Sequence, residues 1–165
     1  MALITKLKTA GAQAAAVTSM GGHFCIGELL PISPLPILNG VPEVDFAVRR
    51  GNFKTVGIIG TRMVMETQLY GAISSAAVVV PTGAELDEVH EKYVAMATAA
   101  RVSDAQRSVF FAAGERLHWE RGAEVALLGG TDLFLAFQGR DADFPVLDCA
   151  DVHVDGIYQT SLRTS

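Results

Sequence analysis

An α/β fold built on parallel strands is predicted by three observations. Continuous apolar runs rich in Val, Leu and Ile recur along the chain, as in strands covered on both faces. Segments with apolar residues four apart lie between several of those runs, as in helices with one buried face. Each apolar run ends in a small, polar or Gly-rich turn, where open parallel sheets carry their ligands. Alternating strand and helix imply right-handed crossovers in a layered domain.

The runs follow in order. "QAAAVTS" (Gln13 to Ser19) is a short one. "PLPIL" (Pro34 to Leu38) is broken by prolines, which predicts an edge or a very short strand. "KTVGII" (Lys54 to Ile59), "AAVVV" (Ala76 to Val80), "EVALL" (Glu124 to Leu128) and "FPVLD" (Phe144 to Asp148) complete the set. Met65, Leu69 and Ile73 predict one helical face, and Leu86, Val89, Tyr93 and Ala97 predict the next. Ser103 with Gln106 reads as a capping box, Val109, Ala113 and Leu117 as the buried stripe behind it, and Gly122 as the stop. There is no internal repeat and no low-complexity tract.

Composition narrows the function. The chain has 165 residues, half of them hydrophobic and 19% charged, so a packed core is within reach and disorder is not expected. Its net charge is −5 with Lys and Arg scattered, which argues against a nucleic-acid partner. No apolar run approaches the ~18 residues that span a bilayer, and the first residues lack a signal peptide's order. No membrane partner is expected, and the expected location is the cytoplasm. The two cysteines, Cys25 and Cys149, are far apart and read as reduced thiols.

The turns after the strands hold the candidate site. Gly21-Gly22 and Gly129-Gly130 could offer backbone N–H groups to a carboxylate or phosphate, or could simply serve tight turns. Neither is a GxGxxG or a phosphate-binding Walker loop. Arg62, next to Thr61, could clamp a carboxylate or pair with a neighbouring acid. His23 could move a proton or could be structural, and His153 is a weaker candidate of the same kind. His90 and His118 fall on helix surfaces and need no role. No His, Cys or acidic spacing fits a metal, so no metal is expected.

Four stretches in order carry a family resemblance. "AGAQAAAVTSMGGHF" (Ala10 to Phe24) resembles an Ala-Gly-Ala-Asp segment, a strand and Cys-Asn-Thr-Ala-His in the aspartate/glutamate racemase family. "VGIIGTRMVMETQLY" (Val56 to Tyr70) resembles that family's strand, Gly-Thr-Arg turn and Met-Glu helix with its Tyr. "ALLGGTDL" (Ala126 to Leu133) resembles its Leu-Gly-Cys-Thr-Glu-Leu turn, and "FPVLDCADVH" (Phe144 to His153) its Pro-Val-Phe-Asp-Thr-Thr-x-x-His segment. The likeness runs from about Leu7 to Tyr158.

The resemblance implies two similar Rossmann-like α/β domains with a small carboxylate or amino acid between them and no cofactor. It places a partial first domain at 1–40 plus 150–165 and the second at 41–149. In that family one cysteine from each domain flanks the substrate Cα, because inversion needs proton traffic on both faces. Here the first cysteine aligns with Ser19 and the second with Gly130. A serine hydroxyl is a poor base without an activating partner, and glycine has no side chain. The resemblance leaves Gly21, Gly22, His23, Thr61, Arg62, Thr131 and Asp132 as the expected ligand-binding set.

The family's first strand and Gly-rich turn stand well upstream of its Ala-Gly-Ala segment, whereas Met1 is only ten residues before Gly11. The first domain is therefore expected to be incomplete, which exposes a sheet edge. A second chain could cover it, which favours a homo-oligomer; a longer gene product or a rebuilt domain are the other readings. The expected function is a cofactor-independent racemase by resemblance, with two-thiol racemisation reduced or lost. The alternatives are a non-catalytic carboxylate-binding domain, and a one-thiol lyase or isomerase using Cys149.

Overall fold

The computed structural model describes residues 2–163. Helix α1 (Ala2–Thr9) leads into a two-residue strand β1 (Ala15–Ala16). A 3₁₀ turn (Met20–Cys25) and a short helix α2 (Ile26–Leu29) connect it to β2 (Ile37–Leu38). β1 and β2 pair in parallel through Ala15 with Ile37 and Ala16 with Leu38. The prolines at 34 and 36 keep β2 short, since each removes a ladder donor.

The larger body follows. Helix α3 (Gly40–Arg50), with Asn39 accepting the Val41 N–H as its N-cap, precedes β3 (Thr55–Ile59). Then come α4 (Arg62–Glu66), β4 (Ala77–Val79), α5 (Ala84–Ala99), α6 (Asp104–Trp119), β5 (Val125–Leu128), α7 (Phe134–Phe137), β6 (Val146–Asp148) and α8 (Cys149–Arg163). Four of these strands form one parallel sheet in the order β4-β3-β5-β6. The fold is thus α/β with parallel sheets, as the apolar runs require.

Both faces of the sheet are covered, which is why its central strands carry no polar side chain from Val56 to Ile59 and from Val125 to Leu128. Val56, Ile58, Val125 and Leu127 point to one face and pack with Val44, Val48 and Cys149 from α3 and α8. Ile59, Ala126 and Leu128 point to the other and pack with α5 and α6 through Leu86, Val89, Tyr93, Phe110, Ala113 and Leu117. The alternation is the period of two expected of a strand. Gly57 lies on that second face, where a Cβ would stand 3.0 Å from the Leu117 Cβ; glycine lets α6 lie close to the sheet.

Two local expectations meet different outcomes. The capping box at Ser103 forms with both reciprocal bonds. Leu69 and Ile73, by contrast, do not continue a helix from Met65, because α4 stops at Glu66. Gln68, Leu69, Tyr70 and Gly71 all take left-handed backbone, with φ between 52° and 68°. Thr67 fixes this reversal: its hydroxyl donates to the Met63 carbonyl and accepts the Tyr70 N–H. Leu69 and Ile73 are still buried, so their apolar spacing marked a core contact and not a helical period.

Candidate functional site

Three turns meet at the carboxyl ends of adjacent strands. β3 runs into Gly60-Thr61-Arg62 and β5 into Gly129-Gly130-Thr131-Asp132. The two turns touch, since the Gly129 N–H donates to the Ile59 carbonyl at 2.8 Å. A Cβ on Gly60 would stand 3.3 Å from the Gly129 carbonyl carbon, so close backbone approach accounts for this glycine. β6 ends beside them at Asp148-Cys149.

The turn after β1 reaches the same body through Met20 and Tyr70. Met20 is 1% exposed and packs among Val64, Leu69 and Cys149. The Tyr70 hydroxyl donates to the carbonyls of Met20 at 3.1 Å and Gly21 at 3.3 Å. Ser19 is exposed, while Gly21 and Gly22 are half-buried. His23 is buried, and its ring bridges two elements. Nε2 accepts the Gly40 N–H at 3.2 Å, so in the neutral ring the proton sits on Nδ1, which donates to the Ser19 carbonyl at 2.9 Å. His23 therefore ties the Ser19 turn to the start of α3 and bonds the backbone of Ser19, not its hydroxyl. The buried His153 ring packs edge-on to His23 at 5.8 Å.

Several other candidate groups already have internal partners. The Thr61 hydroxyl caps α4 by accepting the Val64 N–H at 3.3 Å. The Arg62 guanidinium pairs with Asp87 at 2.5 Å and Glu66 at 3.3 Å, and these acids raise its pKa. The backbone N–H of Arg62 donates to His90 Nδ1 at 3.1 Å, giving that histidine a role the sequence did not disclose. Asp132 accepts a hydrogen bond from the Tyr93 hydroxyl at 3.0 Å. Burial, and next the Asp132 charge, push the Tyr93 phenol well above its ordinary range.

The thiols are placed as follows. Cys149 is fully buried at the first position of α8, and burial, followed by the Asp148 charge, pushes it well above the ordinary thiol range. Asp148 is itself raised to about 6 by burial, while its bond from the Ala150 N–H works the other way. Cys25 is half-buried and its thiol points to the Gly22 carbonyl at 3.8 Å. Among the described residues no group of three or more His, Cys, Asp or Glu side chains could hold a metal ion.

A groove of about 870 Å³ lies elsewhere, between α3 and α8 along the edge strand β6. Phe46, Arg50, Val146 and Asp155 line it, and none of the candidate residues picked out from the sequence does. The strand-end turns bring Thr61, Arg62, Gly130, Thr131 and Asp132 onto neighbouring strands. Sequence reading placed Tyr93 only on a buried helical face. Its hydroxyl was the available signal, because a buried phenol needs a polar partner.

Comparison with known proteins now places the chain. The family model for Asp/Glu/hydantoin racemase matches residues 1–157, and the chain belongs to that family. No curated protein matches the sequence. Among solved structures, a candidate Asp/Glu racemase from Yersinia pestis superposes with a TM-score of 0.81 at 21% identity, over 96% of this chain and 70% of that one. An aspartate racemase homologue from Pyrococcus horikoshii gives 0.77 at 21% identity, over 96% and 71%. An aspartate racemase from Picrophilus torridus gives 0.74 at 15% identity, over 96% and 66%. At these identities the likeness establishes a shared fold.

Proposed function

We propose that this chain is a racemase-family protein in which two-thiol inversion at Cα is reduced or absent. Its ligand is an acidic amino acid or a related small carboxylate, bound without a cofactor. The observation that carries this reading is the position of the sulfur. The sequence has two cysteines, and neither stands at a strand-end turn as an exposed thiol: Cys149 is sealed in the core and Cys25 faces a carbonyl within its own 3₁₀ turn. Inversion needs a proton acceptor on one face of Cα and a donor on the other. At position 19 there is a hydroxyl whose neighbouring imidazole is engaged with backbone, and at position 130 there is hydrogen.

The one-thiol route through Cys149 is disfavoured by the same facts, since the neutral, buried thiol has neither access nor charge to act as a base. Ligand binding rests on the half-buried Gly21 and Thr131 at the strand ends, with Gly22, His23, Thr61, Arg62 and Asp132 shaping the surrounding turns. Self-association belongs to this reading too. Leu3, Leu7, Phe24, Leu30 and Ile32 are all exposed in the segment before β2, apolar side chains that a second copy would cover.

Chiral chromatography of L-aspartate and L-glutamate incubated with the protein tests the catalytic part. The expected result is little or no D-isomer above the protein-free control; D-isomer accumulating in proportion to protein at an ordinary enzymatic turnover, about 1 s⁻¹ or more, refutes it. Calorimetric titration with the same amino acids and with dicarboxylates is expected to give binding at millimolar ligand or below, and its absence ends the ligand assignment. Sedimentation at about 100 μM is expected to give a dimer or larger species, and a monomer there contradicts self-association.

A further inference from the structure

Gly130 is not required by its backbone. It has φ −150° and ψ 131°, an extended conformation open to any residue. Space excludes a side chain instead. A Cβ on Gly130 would stand 2.5 and 2.6 Å from Cε2 and Cζ of Tyr93, and closer still to its hydroxyl. Tyr93 has little room to retreat. It is 6% exposed, packs among Met96, Phe110 and Leu133, and is held by its hydrogen bond to Asp132.

We propose that Tyr93 of α5 determines what position 130 can carry at the end of β5: its phenol takes the volume of a side chain there, so that no group, a thiol included, projects from position 130 unless the ring is displaced. The steric coupling of residues 93 and 130 stands on geometry alone. Its catalytic consequence rests on the reading of Gly130 as the position of the family's second thiol. On that reading, cysteine cannot be restored at position 130 while the ring keeps its place.

The sign of a stability change tests the coupling. Gly130→Ala in the wild-type background is expected to lower Tm by roughly 3–10 °C, the cost of overpacking a buried site. The same substitution in a Tyr93→Ala background is expected to raise Tm by about 1–4 °C, because alanine at a compatible backbone position restricts the unfolded chain. Tyr93→Leu serves as the background if Tyr93→Ala does not fold. A Gly130→Ala protein as stable as wild type, or an equal loss in both backgrounds, overturns the proposal.

A second arm follows α-proton exchange of L-aspartate in D₂O. Ser19→Cys/Gly130→Cys is expected to exchange at least tenfold more slowly than the triple variant that adds Tyr93→Ala. Equal, protein-dependent exchange in both overturns the proposal. A silent triple variant alongside the sign reversal supports the coupling and refutes only the reading of positions 19 and 130.

Discussion

Replacing His23 by alanine should unfold this protein at a markedly lower temperature, and the magnitude follows from its contacts. The ring is 2% exposed and accepts the Gly40 N–H at the first residue of α3. Gly40 is buried, so removal of the acceptor leaves a desolvated amide unpaired, at about 1–3 kcal/mol. Loss of the bond to the Ser19 carbonyl adds about 1 kcal/mol. The space vacated against His153 adds about 1 kcal/mol more. The sum is about 3–5 kcal/mol, a large part of the ~5–15 kcal/mol that holds a domain folded. In a chain of this size it corresponds to roughly 6–20 °C in Tm, read by circular dichroism at pH 7.5. A Tm within ~2 °C of wild type would show that the imidazole does not join the Ser19 turn to α3 as described.

Other outcomes follow from the buried titratable groups. Burial, then the neighbouring His23, lower the His153 pKa below its unfolded value of 6.5. Its contribution is therefore complete above about pH 6.5 and is lost as pH falls. Urea titrations from pH 7.5 to 5.5 should show His153→Gln losing less stability than wild type over that interval; equal losses contradict the assignment. Asp148 has the opposite sign, because burial raises it from 3.8 to about 6. Its contribution is complete below pH 3.8 and is lost as pH rises through 6. Asp148→Asn, which keeps an acceptor for the Ala150 N–H, should gain about 1–2 kcal/mol on wild type between pH 4.5 and 7.5, allowing for solvent screening. No gain would place Asp148 in a more solvated setting. Cys149 should resist a thiol reagent in the native protein and react only on unfolding. Two fast-reacting thiols in the native state would contradict its burial.

Much of the fold was legible because the central strands are apolar at consecutive positions and bounded by turns, the pattern of a sheet covered on both faces. Val56 to Ile59 and Val125 to Leu128 announce themselves in this way. The helix expected through Leu69 and Ile73 failed because periodicity records burial, and Thr67 reverses the chain while leaving both residues in the core. α3 and α8 are not legible in the sequence. The first opens on Gly40-Val41-Pro42, which looks like a turn, and its start is fixed by Asn39 and a histidine 17 residues away. The site was legible as a set of strand-end turns, since topology alone puts ligands there. What its side chains touch was not. Asp132 meets Tyr93 across 39 residues, Arg62 meets His90 across 28, and no local pattern encodes either pair.

Whether this chain has given up two-thiol inversion is read most directly from loss of the α-proton of L-aspartate and L-glutamate in D₂O, followed by ¹H NMR. It registers proton removal from either face, even where no D-isomer is released. The wild-type protein is expected to leave the α-proton signal decaying at or near its rate in buffer. Decay at an enzymatic rate that scales with protein concentration would mean that a base acts on Cα without the paired thiols, and would contradict the loss of inversion.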